Sequence, residues 1–386
     1  MKNILKLSFV LLLIACVMMG TVSARPLQVV ASKEVDISSK GAFLMEYDSG
    51  EVLFSKEETK HLPVASMVKM MTILIALEEL DAGNVALDTK ITTTENASSM
   101  GGSQVFIDPY VEYSFEDLLK SVIMASANDA SVALAEYFNG NENAFVNRMN
   151  KKAKELGMVD THYANCTGLP APEQYSSAKD TAILLKEILK YDIYHNYSTV
   201  WIDELVHPSG RKTELVNTNR LIRYYQGCDG GKTGSTNEAG CCLGASAKRG
   251  DMRLISVIVG AENSKTRFNE TSALFNYGFA NFESQKLVDE NVPIATLSVL
   301  KGKQTEVDVF AEESFSAVVK KGDSLGYDIQ VETVKSVKAP ARKGCSVGEI
   351  VITKNGNLLK KIPIVLKEDL KQLSWFETAQ KVLEKW

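Results

Sequence analysis

Pro63-Val64-Ala65-Ser66-Met67-Val68-Lys69-Met70-Met71-Thr72 opens the stretch that decides how this chain folds, and the apolar run continues to Leu80. Residues 64–80 have the length of a helix and are almost continuously apolar. They are too few to cross a membrane, which takes about 20 such residues. A helix apolar on all sides belongs inside a protein, so the pattern predicts a buried core helix. Its few polar residues include Ser66, Lys69 and Thr72, three apart, which sets the Ser66 hydroxyl and the Lys69 amine on one face. A lysine held in an apolar wall loses hydration, its pKa falls, and it can accept a proton near neutral pH. A serine beside such an amine can act as a nucleophile. The plainer alternative is a lysine whose head reaches solvent. Ser-x-x-Lys also occurs at Ser176/Lys179, Ser209/Lys212 and Ser298/Lys301, but only at Ser66 does it open a buried-looking helix.

Working outward, Asp48-Ser49-Gly50 lies between apolar-rich residues 42–47 and 51–54, which reads as a β-hairpin. A second helix begins at Ser114 with Asp117 as its capping partner, and Phe115, Leu118, Leu119, Val122 and Ile123 recur at helical spacing. Ser126-Ala127-Asn128 then interrupts the apolar pattern, where neither polar residue has a packing reason to sit. A helix end with a local cap is the alternative. Lys232-Thr233-Gly234 occurs once, after Gly230-Gly231 and before predicted strands at 241–247 and 252–260 joined by Lys248-Arg249-Gly250-Asp251. As an edge strand it would offer an ammonium and a hydroxyl to an anion, with Gly234 admitting a ligand backbone; as a polar turn it would offer nothing. A helix over 268–277 follows.

The 386 residues are 45% apolar and 24% charged with net charge −5, an ordinary globular composition that excludes disordered chains and a general affinity for nucleic acid. The length suits two or three domains at roughly 150 residues each. Residues 1–24 read as an export signal: Lys2 and Lys6, an apolar run, then Val22-Ser23-Ala24. Leu13-Ile14-Ala15-Cys16 leaves lipoprotein cleavage as the alternative. Five cysteines remain after that segment, so at least one thiol is free or paired between chains. Without a CxxC spacing and with only four His, a zinc cage has no support. Beyond 282, short runs at 305–309, 315–319, 329–334, 349–352 and 361–365 form the pattern of a small all-β module over 283–366. Residues 367–386 read as an amphipathic helix with Leu370, Leu373, Phe376, Ala379, Leu383 and Trp386 on one face. Packing against the β module or lying on a membrane would each use that face.

Ser66-Met67-Val68-Lys69, Ser126-Ala127-Asn128 and Lys232-Thr233-Gly234, in this order, resemble the three motifs of the penicillin-binding protein and serine β-lactamase superfamily. Their flanks, with Gly157-Met158, Asn165-Cys166-Thr167-Gly168-Leu169 and Gln174-Tyr175-Ser176-Ser177-Ala178, are similar to the low-molecular-mass D-alanyl-D-alanine carboxypeptidases, peptidase family S11. The similarity covers about residues 38–280. Val64 and Val68 depart from that family's usual proline and threonine, and neither touches a reacting group.

The resemblance implies an α+β fold, an α/β-α sandwich of the transpeptidase type, over residues 25–282. It implies serine acyl transfer on peptidoglycan stem peptides ending in D-Ala-D-Ala, with Ser66 as nucleophile, Lys69 as base and Ser126 as proton relay. Asn128 would orient substrate and Lys69. Lys232 and Thr233 would hold the terminal carboxylate on the strand with Gly234, and the N–H groups of Ser66 and Ser235 would form the oxyanion hole. Arg267 would assist the carboxylate or cap a helix. Penicillins would acylate Ser66 as mimics, with no cofactor or metal required. The expected place is outside the cytoplasm, on the outer face of its membrane, with peripheral contact through the C-terminal helix. A penicillin-binding sensor and a D,D-transpeptidase would keep the same groups.

Overall fold

Two-residue periodicity builds the central sheet of this computed structural model, which describes residues 35–322, 326–377 and 379. Strands β1 (Gly41–Glu46), β2 (Val52–Lys56), β3 (Cys228–Thr236), β4 (Gly240–Arg249) and β5 (Met252–Ala261) lie in the order β2-β1-β5-β4-β3, all antiparallel. Along β1, Phe43 and Met45 enter one core while Ala42 and Leu44 enter another. Along β5, Ile255, Val257 and Val259 side with the first, Leu254 and Ile258 with the second. Both faces of the sheet are therefore covered. The first core holds α1 (Lys69–Asp81), α2 (Phe115–Met124), α3 (Asn128–Asn139) and α4 (Ala178–Ile188), and the second holds Leu274 and Phe275 of α5 (Ser264–Asn281). This is the α/β-α sandwich expected.

Helix α1 is buried from Lys69 to Leu77, as its all-round apolarity predicts, and a 3-10 turn, Ala65–Val68, feeds it. A fully buried Leu or Ile side chain stabilises by about 1.5–3 kcal/mol, so Leu74, Ile75 and Leu77 fix the helix in place. The Ser114 hydroxyl accepts the Asp117 N–H and starts α2 where the sequence places it. Helix α5 begins at Ser264 behind the Asn263 cap, four residues ahead of the expected start.

The C-terminal strands form a six-stranded sheet in the order Tyr327–Thr333, Ser346–Lys354, Asn357–Leu366, Glu306–Ala311, Pro293–Leu300, Ser336–Lys338. Phe282–Val288 pairs separately with Phe315–Lys320. The all-β expectation holds, with Phe282–Val288, Pro293–Leu300 and Ser336–Lys338 added to the expected strands. Val309, Ile350, Ile352, Ile362 and Ile364 fill its core, while Val318 packs into the second core of the sandwich.

The helix expected over 367–386 is corrected by this sheet. Leu370 is 2% exposed in the β core and bridges Ala341, and Gln372 bridges Gly302. Helix starts only at Trp375, where the Glu377 carboxylate accepts the Ser374 N–H and the Ser374 hydroxyl accepts the Glu377 N–H. Leu370 therefore does not share a helix face with Phe376. The export signal and the distal residues Leu383 and Trp386 lie outside the described residues. Cys166, Cys228, Cys241, Cys242 and Cys345 are all free thiols.

Candidate active site

Close backbone packing brings the first and third motifs together. Ala65 has φ +50°, which turns the chain so that Ser66 projects from the 3-10 turn. The turn rests against β3, the edge strand of the sheet, at Gly234, where a Cβ would strike the Val64 carbonyl oxygen. A ligand backbone was expected to press on Gly234; here the chain's own turn does so, and Gly234 also lines the cleft. On the other side Gly168, with φ +80°, leaves room for the Ala65 carbonyl. Asn165 accepts the N–H groups of Thr167 and Gly168 and so holds this loop, and Thr72 of α1 donates to the Cys166 carbonyl.

Lys69 is fully buried, with Nζ 3.0 Å from Ser66 Oγ and donating to the Thr167 carbonyl at 2.5 Å. Burial brings its pKa down to about 7, so the neutral amine is accessible at physiological pH. The expectation of a lysine facing an apolar wall is met. Its second hydrogen-bond partner is Thr167, however, where Asn128 was expected. Asn128 is buried and its Nδ2 donates to the Gly101 carbonyl at 2.6 Å.

The break between α2 and α3 sets Ser126 at φ +62° and 4% exposed. Its hydroxyl accepts a 2.6 Å hydrogen bond from Lys232 Nζ, which joins the second motif to the third. Lys232 is 1% exposed, and burial, then repulsion from Lys69 and Arg267, holds its pKa well below the usual lysine value. Two serine–lysine pairs thus converge on one cleft of about 520 Å³, which Ser66, Ser126, Thr233, Gly234 and Ser235 all line. A neutral Lys69 has the geometry to take the Ser66 proton, and the Ser126 hydroxyl, held by Lys232, faces the same cleft.

Further contributors carry only faint sequence signals. Asp129 accepts the N–H groups of Val105 and Ile107 and the Ser103 carbonyl accepts the Asn128 N–H, which fastens the loop bearing Ser103 to the cleft rim. Arg267, read from sequence as a carboxylate ligand or a cap, donates to the carbonyls of Gly234 and Cys242. Trp201 and Tyr224, with ring centroids 6.4 Å apart, supply an aromatic wall that the sequence reading missed. Among the described residues no group of three His, Cys, Asp or Glu side chains is arranged to hold a metal.

Known proteins resemble this chain in sequence and fold. Residues 28–263 match the family model for D-alanyl-D-alanine carboxypeptidase, and residues 282–372 match that for the C-terminal domain of penicillin-binding protein 5. The chain is 40% identical over 357 residues to the D-alanyl-D-alanine carboxypeptidase DacF of Bacillus subtilis, covering 92% of each. Among solved structures, penicillin-binding protein 5 of Haemophilus influenzae is similar with a TM-score of 0.70 at 31% identity, over 87% of this chain and 98% of that one. Penicillin-binding protein D2 of Listeria monocytogenes in its ampicillin-bound form is similar with a TM-score of 0.57 at 29% identity, over 64% of this chain and all 100% of that one. With its three motifs gathered on one cleft and both of its parts matched, the chain belongs to the D-alanyl-D-alanine carboxypeptidase family, peptidase family S11.

Proposed function

We infer that this protein is a serine-type D-alanyl-D-alanine carboxypeptidase that trims the last D-alanine from peptidoglycan stem peptides and is acylated by penicillins. The observation that carries the reading is the buried Lys69 amine, 3.0 Å from Ser66 Oγ, with a pKa brought down to about 7. In this reading Lys69 accepts the proton as Ser66 Oγ bonds to the carbonyl between the two D-alanines. The N–H groups of Ser66 and Ser235 stabilise the oxyanion, where each donor is worth about 10²–10³ in rate. As the C–N bond breaks, Ser126 delivers a proton to the departing amine, its hydroxyl held by Lys232. Thr233, in the positive field of Lys232, receives the terminal carboxylate, and Asn128 supports the peptide. Water then attacks the acyl-enzyme and restores Ser66. The same groups would serve transfer to an amine, and nothing in the cleft favours that reading.

Export by residues 1–24 and peripheral contact with the outer face of the cytoplasmic membrane complete the proposal. Trp375 and Phe376, 77% and 79% exposed, support a contact through the last helix. No described helix is long and apolar enough to cross a membrane.

The test is release of D-alanine from a stem pentapeptide, run beside labelling with a fluorescent penicillin. The wild type is expected to do both and Ser66→Ala neither. Labelling without release would make the protein a sensor or an amine-dependent transferase.

A further inference from the structure

Arg220 and Arg267 line the cleft and Lys232 lies buried beside it, and the three are not equivalent. Lys232 is buried, its ammonium occupied by Ser126 Oγ and the Thr233 carbonyl. Arg267 is 9% exposed; Nη1 donates to the Gly234 and Cys242 carbonyls and Nη2 to Ser264 Oγ, so this guanidinium straps β3 to β4 and α5. Arg220 stands exposed on the cleft wall, and its side chain has no hydrogen bond or ion pair among the described residues.

The backbone beneath Arg220 is rigid. Asn219 accepts the Leu221 N–H and donates to the Gly230 carbonyl, and the neighbouring Asn217 donates to the carbonyls of Ser198 and Val200. Both asparagines are buried. A fixed base thus carries one long, unengaged guanidinium. Its charge also repels Arg267, so the two cations lie near each other, and no Asp or Glu lines the cleft to offset them. Such a pair is unfavourable in the protein alone and is relieved by an anion, which an arginine fork grips with two parallel hydrogen bonds.

We propose that Arg220 takes the substrate's terminal carboxylate from solvent and holds it against Thr233, making it a specificity-determining contact for peptides that end in a free carboxylate. The proposal rests on the carboxypeptidase reading. In it, Lys232 and Arg267 are the buried frame of the site and Arg220 is its outer hand.

Kinetics of the full chain test this, with Arg220→Gln and Arg220→Lys beside the wild type. One assay follows D-alanine release from a diacetylated Lys-D-Ala-D-Ala tripeptide. The other follows acylation of Ser66 by benzylpenicillin and by its methyl ester, at low and high salt. Arg220→Gln is expected to raise KM by about 10- to 100-fold, the worth of a charged hydrogen-bonded contact, with little change in kcat. Acylation by benzylpenicillin should fall by a similar factor and lose its salt dependence, acylation by the uncharged ester should stay as in the wild type, and Arg220→Lys should recover part of the loss. An unchanged KM, or equal losses with acid and ester, would overturn the proposal. If the wild type releases no D-alanine while its acylation depends on Arg220 in this way, the carboxypeptidase reading fails and the Arg220 contact stands.

Discussion

Lys69 is where sequence, burial and chemistry meet in one side chain. Its ordinary pKa of 10.5 falls to about 7 because burial strips the ammonium of water, which the charges of Cys166 and Asp129 offset only in part. In the pH window between those two values the unfolded chain binds a proton that the folded one does not, so stability rises with pH across it. Below about 7 the cost of the buried charge is fully present. Lys69→Met should therefore abolish penicillin acylation and raise the melting temperature, by most near or below pH 7 and by less as pH approaches 10. Thermal scans across pH check it, and a lowered melting temperature throughout would contradict it. For the wild type, kcat/KM should rise with pH through about 7 as the amine becomes neutral. Ser66 and Lys69 were legible in the sequence because their spacing opens an apolar run of helical length. The Thr167 carbonyl was not, since a backbone acceptor leaves no residue-type signature and its position depends on a loop 98 residues away.

Among the elements, the junction of the Ala65–Val68 turn with β3 sets the position of Ser66. Nothing but hydrogen fits at Gly234, because a Cβ there meets the backbone O of Val64, which caps that turn, and comes within 3.2 Å of Met67 N inside it. Gly234→Ala should push the turn off the strand. We expect acylation by penicillin to fall by about 10²-fold or more, as a shift near 1 Å in a reacting group does. Near-wild-type acylation would show that the junction does not position Ser66. The hairpin at 42–54, the core helix and the start of α2 were all readable from turn residues, caps and periodicity. The start of the last helix was misread because Leu370 and Leu373 fall at helical spacing with Phe376. The Ser374-x-x-Glu377 cap, visible in the sequence, marks the true boundary.

Across the whole molecule, the five-stranded and six-stranded sheets share one chain: Val318, on the strand pair between them in sequence, packs into the second core of the sandwich, and the Lys354–Glu51 ion pair at 3.1 Å ties the six-stranded sheet to the β1–β2 hairpin. The change in strand rhythm beyond 282 revealed the second part, whereas its sheet order, built from non-sequential neighbours, has no counterpart in local pattern. The boundary at Ser374 determines how a membrane role is tested. A cut at 367 would remove Leu370 from the β core, but a chain ending at Leu373 keeps that core whole. The shorter chain should move from the membrane fraction to the soluble fraction while still binding penicillin. Retention on membranes would rule out the last helix as the anchor.

The central claim is a covalent intermediate on Ser66, and the most direct measurement is the mass of the protein quenched during turnover of a stem pentapeptide. We expect a tetrapeptidyl adduct on the fragment that carries Ser66, with D-alanine released in at least equal amount and neither product from Ser66→Ala. An adduct on another residue, or D-alanine release undiminished in Ser66→Ala, would contradict the account.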